Sequence, residues 1–255
     1  MRRRCGFALF ALLLATASAC AETLRMAADV WPPFTDASLP GNGLATELVS
    51  TALKRAGHRP EYVEVPWARA LRGVQVGDYD LIVNAWYSDE RARFGQFSQP
   101  YLTNRIHFLR RKGSDVDFRA PADLKRYSIA VVRGYSYLPG FDSDASLNKV
   151  PVTGFQMAAQ MLAAGRVQLT LEDDLVARYY LGRELKGIRD QLEFLPRPLS
   201  ENGLHILVRR SHPRHQELVE DFDKAMQAMR EDGTYEAIFA RHGLPAPNRT
   251  CYASE

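Results

Sequence analysis

The strongest constraint on this chain is a repeated alternation: short apolar runs of strand length are separated by stretches in which apolar residues return at helical spacing. Residues 24–28 read as a strand, broken by Trp31-Pro32-Pro33-Phe34. After the turn signal Gly41-Asn42-Gly43, the residues Leu44, Leu48, Ala52 and Ala56 recur four apart up to Gly57. Residues 62–65 form a further strand. Trp67, Ala70, Leu71 and Val74 outline a short helix ending near Gly77, and this spacing predicts Trp67 in the core. Residues 80–86 carry Leu81-Ile82-Val83 at the centre of a buried strand. The pattern restarts with strands at 105–111 and 128–132, a helix through Met157, Met161 and Leu162, a strand at 167–171 and a helix over 173–181. A strand at 192–195 precedes the joint Pro196-Arg197-Pro198, then come a strand at 204–208 and two helices over 215–229 and 233–242. This order predicts an α/β fold with a mainly parallel sheet and helices on both faces. The restart near residue 112 points to two lobes.

The N-terminus reads as an export signal. Arg2, Arg3 and Arg4 precede an unbroken apolar run over 7–15, and small residues follow over 16–21. The run is too short to cross a hydrocarbon core of about 30 Å. Cleavage is expected after Ala21, or after Ala19, so residues 1–21 are assigned to a signal peptide and the mature protein is expected to be exported from the cytoplasm. Cys20 leaves lipid attachment as the alternative to a soluble product. Removing three arginines takes the net charge from +3 to zero, which offers no electrostatic footprint for nucleic acid. Cleavage after Ala21 leaves Cys251 as the one cysteine, so apolar burial must hold together the remaining roughly 230 residues, enough for one large or two modest cores. The six histidines are dispersed, and no metal-ligand cluster, phosphate loop or nucleophile triad stands out. No metal or cofactor is expected.

Several short motifs, in order, carry a resemblance. They are Gly77-Asp78-Tyr79-Asp80-Leu81-Ile82, Ser88-Asp89-Glu90-Arg91, Phe97-Ser98-Gln99-Pro100-Tyr101, Val132-Arg133-Gly134, Ala164-Gly165-Arg166-Val167 and Asp232-Gly233-Thr234-Tyr235. Together they resemble the family 3 solute-binding proteins, the periplasmic components of polar amino-acid ABC transporters. The resemblance implies the type II periplasmic binding protein fold, two α/β lobes joined by a two-strand hinge. It places lobe 1 at 22–110 and 204–248, lobe 2 at 111–203, crossings near 110–113 and 197–204, and a tail at 249–255. It further implies a monomer that delivers an amino acid or related carboxylate to a membrane permease.

The same resemblance implies roles for individual residues. Arg91 aligns with the arginine that clamps the ligand carboxylate, and a planar guanidinium matches two carboxylate oxygens. Asp173 aligns with the lobe 2 aspartate that takes the ligand ammonium; the alternative is an acid starting a helix. Ser136 falls where a hydroxyl assists carboxylate binding, after a glycine turn whose free N–H groups suit an anion. Trp31 is the aromatic wall, and Asp29 a contact for the amino end. Asn84, Trp86 and Tyr87 stand where amino-acid binders carry small hydroxyl residues, so a carboxylate-bearing ligand is better supported than an α-amino acid. Two other classes stay open: a cyclohexadienyl dehydratase-like enzyme, with Glu172 as its acid, and a sensory module without a transporter.

Overall fold

Two long antiparallel strands carry the sheet. The structure, a computed structural model, describes residues 21–246; the expected signal segment up to Cys20 and the expected tail from 249 lie outside them. β5 (Leu102–Arg111) and β9 (Leu192–Arg209) pair from Leu102↔Leu204 to Arg111↔Leu192. The first lobe is built by β1 (Thr23–Ala28), α1 (Leu44–Arg55), β2 (Arg59–Glu64), α2 (Trp67–Val76), β3 (Leu81–Trp86), α3 (Asp89–Ala92) and β4 (Gly95–Phe97). The second is built by β6 (Ser128–Val132), α4 (Pro139–Ser143), β7 (Asn148–Val152), α5 (Phe155–Ala163), β8 (Leu169–Asp173) and α6 (Asp174–Gly182). After β9 the chain returns through α7 (His215–Glu231) and α8 (Thr234–Arg241), which pack on α1.

The sheet order is β2-β1-β3-β9-β5-β8-β6-β7, with β4 also on β9. The mainly parallel expectation is corrected to a mixed sheet. β1 pairs parallel with β2 and β3, and β6 with β7 and β8, as helical crossovers dictate. Every junction to the two long strands is antiparallel. β3 meets β9 over 204–208 and β8 meets β5 over 106–109, so the change of neighbour along β5 comes before the expected crossing at 110–113.

The proline joint is also corrected. Pro196-Arg197-Pro198 lies inside β9, where the register against β5 shifts on both sides of His107↔Pro198. A bulge leaves a strand residue without a ladder bond, the setting in which proline costs no hydrogen bond. Elsewhere the apolar periodicity decides the packing. Leu44, Leu48 and Ala52 of α1 are fully buried, and every residue of β3 is buried. Among the described residues no helix is long and apolar enough to cross a membrane.

Asp80 ties three strands together at the end of the first motif. Its Oδ1 accepts from Arg209 Nε at 3.1 Å and Nη2 at 3.0 Å, and its Oδ2 from the Arg25 N–H at 2.9 Å. Hydrogen bonds to a charged group contribute about 1.5–3 kcal/mol each. Asp80→Ala should therefore lower unfolding free energy by about 2–3 kcal/mol in urea titrations, with the slope unchanged. A loss under about 0.5 kcal/mol would contradict this role.

Candidate functional site

The chain leaves β1 through a tight turn that aims Asp29 and Trp31 toward the strand ends. Trp31 N–H donates to Thr35 O at 2.7 Å and Thr35 N–H returns to Trp31 O at 3.1 Å. The Thr35 hydroxyl spends its hydrogen on Asp29 O at 2.7 Å, so its lone pairs can only accept. Asn84, on β3, donates Nδ2 to Asp29 Oδ1 at 3.0 Å and to Thr35 Oγ1 at 3.4 Å. Both contacts require an N–H donor, which fixes the amide orientation. Asn84 Oδ1 is then a buried acceptor with no donor among the described residues. Burial pushes the Asp29 carboxyl upward, against the pull of the Asn84 bond.

Arg91 reaches the same place from α3. Ser88 caps that helix, its Oγ accepting from the Arg91 N–H at 3.3 Å. The guanidinium, on a residue only 5 % exposed, donates Nη1 to Trp86 O at 2.7 Å and Nη2 to Gly134 O at 3.0 Å. It also stacks 4.9 Å from the Trp67 ring. Burial lowers it to about 10, still charged at neutral pH. The Trp67 Nε1 donates to the same Gly134 O at 3.1 Å. Gly134 has φ +79°, the left-handed region that glycine enters freely, and in this turn its carbonyl oxygen meets both first-lobe donors.

Trp86 is held by a relay through the hinge. Its Nε1 donates to Asn104 Oδ1 at 2.9 Å, and Asn104 Nδ2 donates to Asp173 Oδ2 at 3.0 Å. The other Asp173 oxygen caps α6, accepting from Leu175 N–H at 2.9 Å and Val176 N–H at 3.1 Å, while Arg105 N–H adds a bond to Oδ2 at 3.2 Å. Next to it, Glu172 Oε1 accepts from Trp31 Nε1 across the cleft at 3.3 Å and from Asp173 N–H at 2.9 Å. Burial, with the charges of Asp173 and Asp29 adding, pushes Glu172 up to about 8. Asp173 accepts N–H groups on both oxygens, which favours its ionised form, and burial raises it only to about 6 against about 8 for Glu172, so Glu172 holds a proton more readily than its neighbour.

Asp29, Trp31, Asn84, Trp86 and Arg91 converge on one cavity, together with Trp67 and Tyr135. Its volume is about 20 Å³, room for about one water. It continues into a groove of about 620 Å³ that shares Asp29, Trp31, Trp67 and Tyr135 and adds Glu172 and Tyr180, within the range of small-molecule sites. The aromatic walls meet nearly edge to face. Trp31 and Trp86 lie 5.6 Å apart at 80°, and Trp86 and Tyr135 5.4 Å apart at 79°. Among the described residues no His, Cys, Asp and Glu group could hold a metal ion.

Three expected residues are not brought into this cavity. Tyr87 is 56 % exposed and donates to Asp89 Oδ1 at 3.0 Å. Ser136 Oγ sits 3.4 Å from Asp142 Oδ2, and the turn before it offers Arg91 a carbonyl in place of the expected N–H groups. Asp173 is a helix cap whose oxygens are already occupied. Trp67 goes the other way. It opens α2 at its first position, where it is half-buried, packs against the cluster of Ala70, Val74 and Tyr79 as its spacing predicts, and in addition lines the cavity.

The comparisons agree with this geometry. The family model described as bacterial extracellular solute-binding proteins, family 3, matches residues 24–245. The chain belongs to that family. It is 27 % identical over 199 residues to the L-cystine-binding protein TcyA of Bacillus subtilis strain 168, covering 77 % of this chain and 70 % of the relative. An ancestral arginine-binding protein bound to glutamine superposes with a TM-score of 0.72 at 25 % identity, over 87 % of this chain and 98 % of that one. A histidine kinase sensor domain with similarity to periplasmic binding proteins gives a TM-score of 0.77 at 21 % identity, over 89 % and 99 %, a likeness of fold. The fold is that of the type II periplasmic binding proteins, and the curated relatives are binding proteins.

The buried acid sets a pH dependence. A carboxyl raised from 4.5 to about 8 binds its proton more tightly folded than unfolded, so stability falls as pH rises through that window. Melting temperature should drop between pH 5 and pH 8, and Glu172→Gln should flatten the profile in thermal scans. A variant profile as steep as the original would assign the effect to another group.

Proposed function

We propose that this protein closes over a small polar solute, an amino acid or related carboxylate, and delivers it to an ABC transporter permease. The observation that carries the reading is Arg91, a buried guanidinium at the seam whose donors reach carbonyls on both sides. Two of its five N–H groups make those bonds, and a solute carboxylate takes others in paired geometry. Asp29 and the orphan Asn84 Oδ1 receive the amino end, between the indoles of Trp31 and Trp86. Cystine and arginine binding by the curated relatives supports solutes that carry both a carboxylate and an amine. In this reading residues 1–21 direct export and are removed, the lobes comprise 22–110 with 204–248 and 111–203, and the protein acts as a monomer in the periplasm.

Closure is a hinge motion in which the solute stabilises the shut form by touching both lobes. A thermal-shift screen over amino acids and small carboxylates tests the reading. A ligand at a hundred times its dissociation constant should stabilise by about 2.7 kcal/mol. Arg91→Ala should weaken binding at least 100-fold by calorimetry, the scale expected when a buried charged partner is removed. Binding unchanged in that variant would remove the clamp assignment. The dehydratase reading has one observation in its favour, a buried Glu172 lining the groove, its carboxyl pushed up to about 8 by burial. Incubation with prephenate or arogenate is expected to leave both unconverted, and an aromatic product would replace the transport reading with the enzymatic one.

A further inference from the structure

We propose that Glu172 is a specificity-determining acid of this cleft, selecting solutes that carry a cationic group besides the amino end by exchanging its own proton for that cation. The inference rests on the reading of the cleft as a solute site and names the class of solute.

Glu172 is 1 % exposed at the end of β8 and lines the groove. Oε1 is fixed by Trp31 Nε1 from the opposite lobe and by the Asp173 N–H. Oε2 takes no hydrogen bond from the described residues. Around it acceptors outnumber donors. Asp29 shares the groove and makes no ion pair among the described residues, and Asn84 Oδ1, on a side chain 7 % exposed, has no donor. Arg91 has turned to the carbonyls of Trp86 and Gly134. Exposed Arg133 and Glu64 also line the groove and are of opposite sign. A solute group rich in N–H donors and positively charged satisfies Glu172 Oε2 and Asp29 together, and Trp31 and Tyr135, which line the same groove, supply aromatic surface for it.

The exchange balances simply. An ammonium or guanidinium N–H approaches Oε2, the carboxyl O–H bond breaks with its electron pair kept by oxygen, and the proton passes to bulk water. A neutral or anionic solute gives no such compensation for a new buried charge, and Glu172 keeps its proton. The groups that face it are consistent with this. Asp173 lies beside it and Asp29 opposite; Tyr135 and Tyr137 come from the turn after β6, Tyr180 from α6, and His107 stands across from it in the β5 register. Burial holds Glu172 near 8, so the proton is present at neutral pH.

Calorimetry of the whole exported chain at pH 7, in two buffers of different ionisation enthalpy, tests this with L-arginine, L-glutamine and L-glutamate as probes. L-arginine should bind at least tenfold more tightly than the other two and release close to one proton. Glu172→Gln should release none and lose at least tenfold of the preference. All three tryptophans of the chain line the cleft, so a pH titration of intrinsic fluorescence checks the same proton separately. A transition near pH 8 is expected in the original protein and should vanish in the variant. L-arginine binding without proton release, a preference for L-glutamate or L-glutamine, or the same fluorescence transition in both proteins would overturn the proposal while the binding function stands. Failure of every amino acid and carboxylate to bind would instead remove the binding function itself.

Discussion

A single buried guanidinium organises this molecule. Arg91 is anchored by a helix cap behind it, stacked on Trp67 beside it, and bonded to a carbonyl of each lobe in front. Burying a cation is costly unless its donors are satisfied, and here backbone oxygens from the end of β3 and from the turn at Gly134 do so. Two otherwise unrelated demands therefore meet in one residue. The first lobe must fix the arginine in place, and the second must return a carbonyl to it, which a glycine with positive φ allows.

The acids behind the cleft divide their labour by hydrogen bonding. Asp173 accepts four N–H groups and works as a structural element, capping α6 and holding Asn104, which holds Trp86. Its neighbour Glu172 accepts only on one oxygen, and burial pushes it up to about 8 against about 6 for Asp173. Adjacent carboxyls in one buried corner thus hold different charge states because their donors differ, and burial alone would not separate them.

Much of the fold was legible in the chain. Apolar periodicity located β3, α1 and β6 closely, and the ordered motifs named the family. The prolines of β9 misled because a strand that bulges against its partner reads locally as a joint. Arg91, Asp29 and Trp31, singled out in the sequence, line one cavity in the structure. Asp173 kept two roles open that look identical in one dimension: an acid before a helix suits either a cap or a ligand, and in the structure four N–H groups point at its oxygens. Trp67 showed only half of its role in the sequence, since a first-turn position packs on the buried face of its helix and still reaches the cavity beside it.

The Gly134 carbonyl has a consequence for affinity. It holds one of the guanidinium N–H groups, so in the proposed reading the protein's own backbone competes for part of the donor set open to a solute carboxylate. A carboxylate that takes that N–H must displace the carbonyl, and if the self-bonded form outweighs the receptive one tenfold, apparent affinity drops by about the same factor. Retuning this one turn would shift sensitivity for all solutes alike and leave the ranking among them intact.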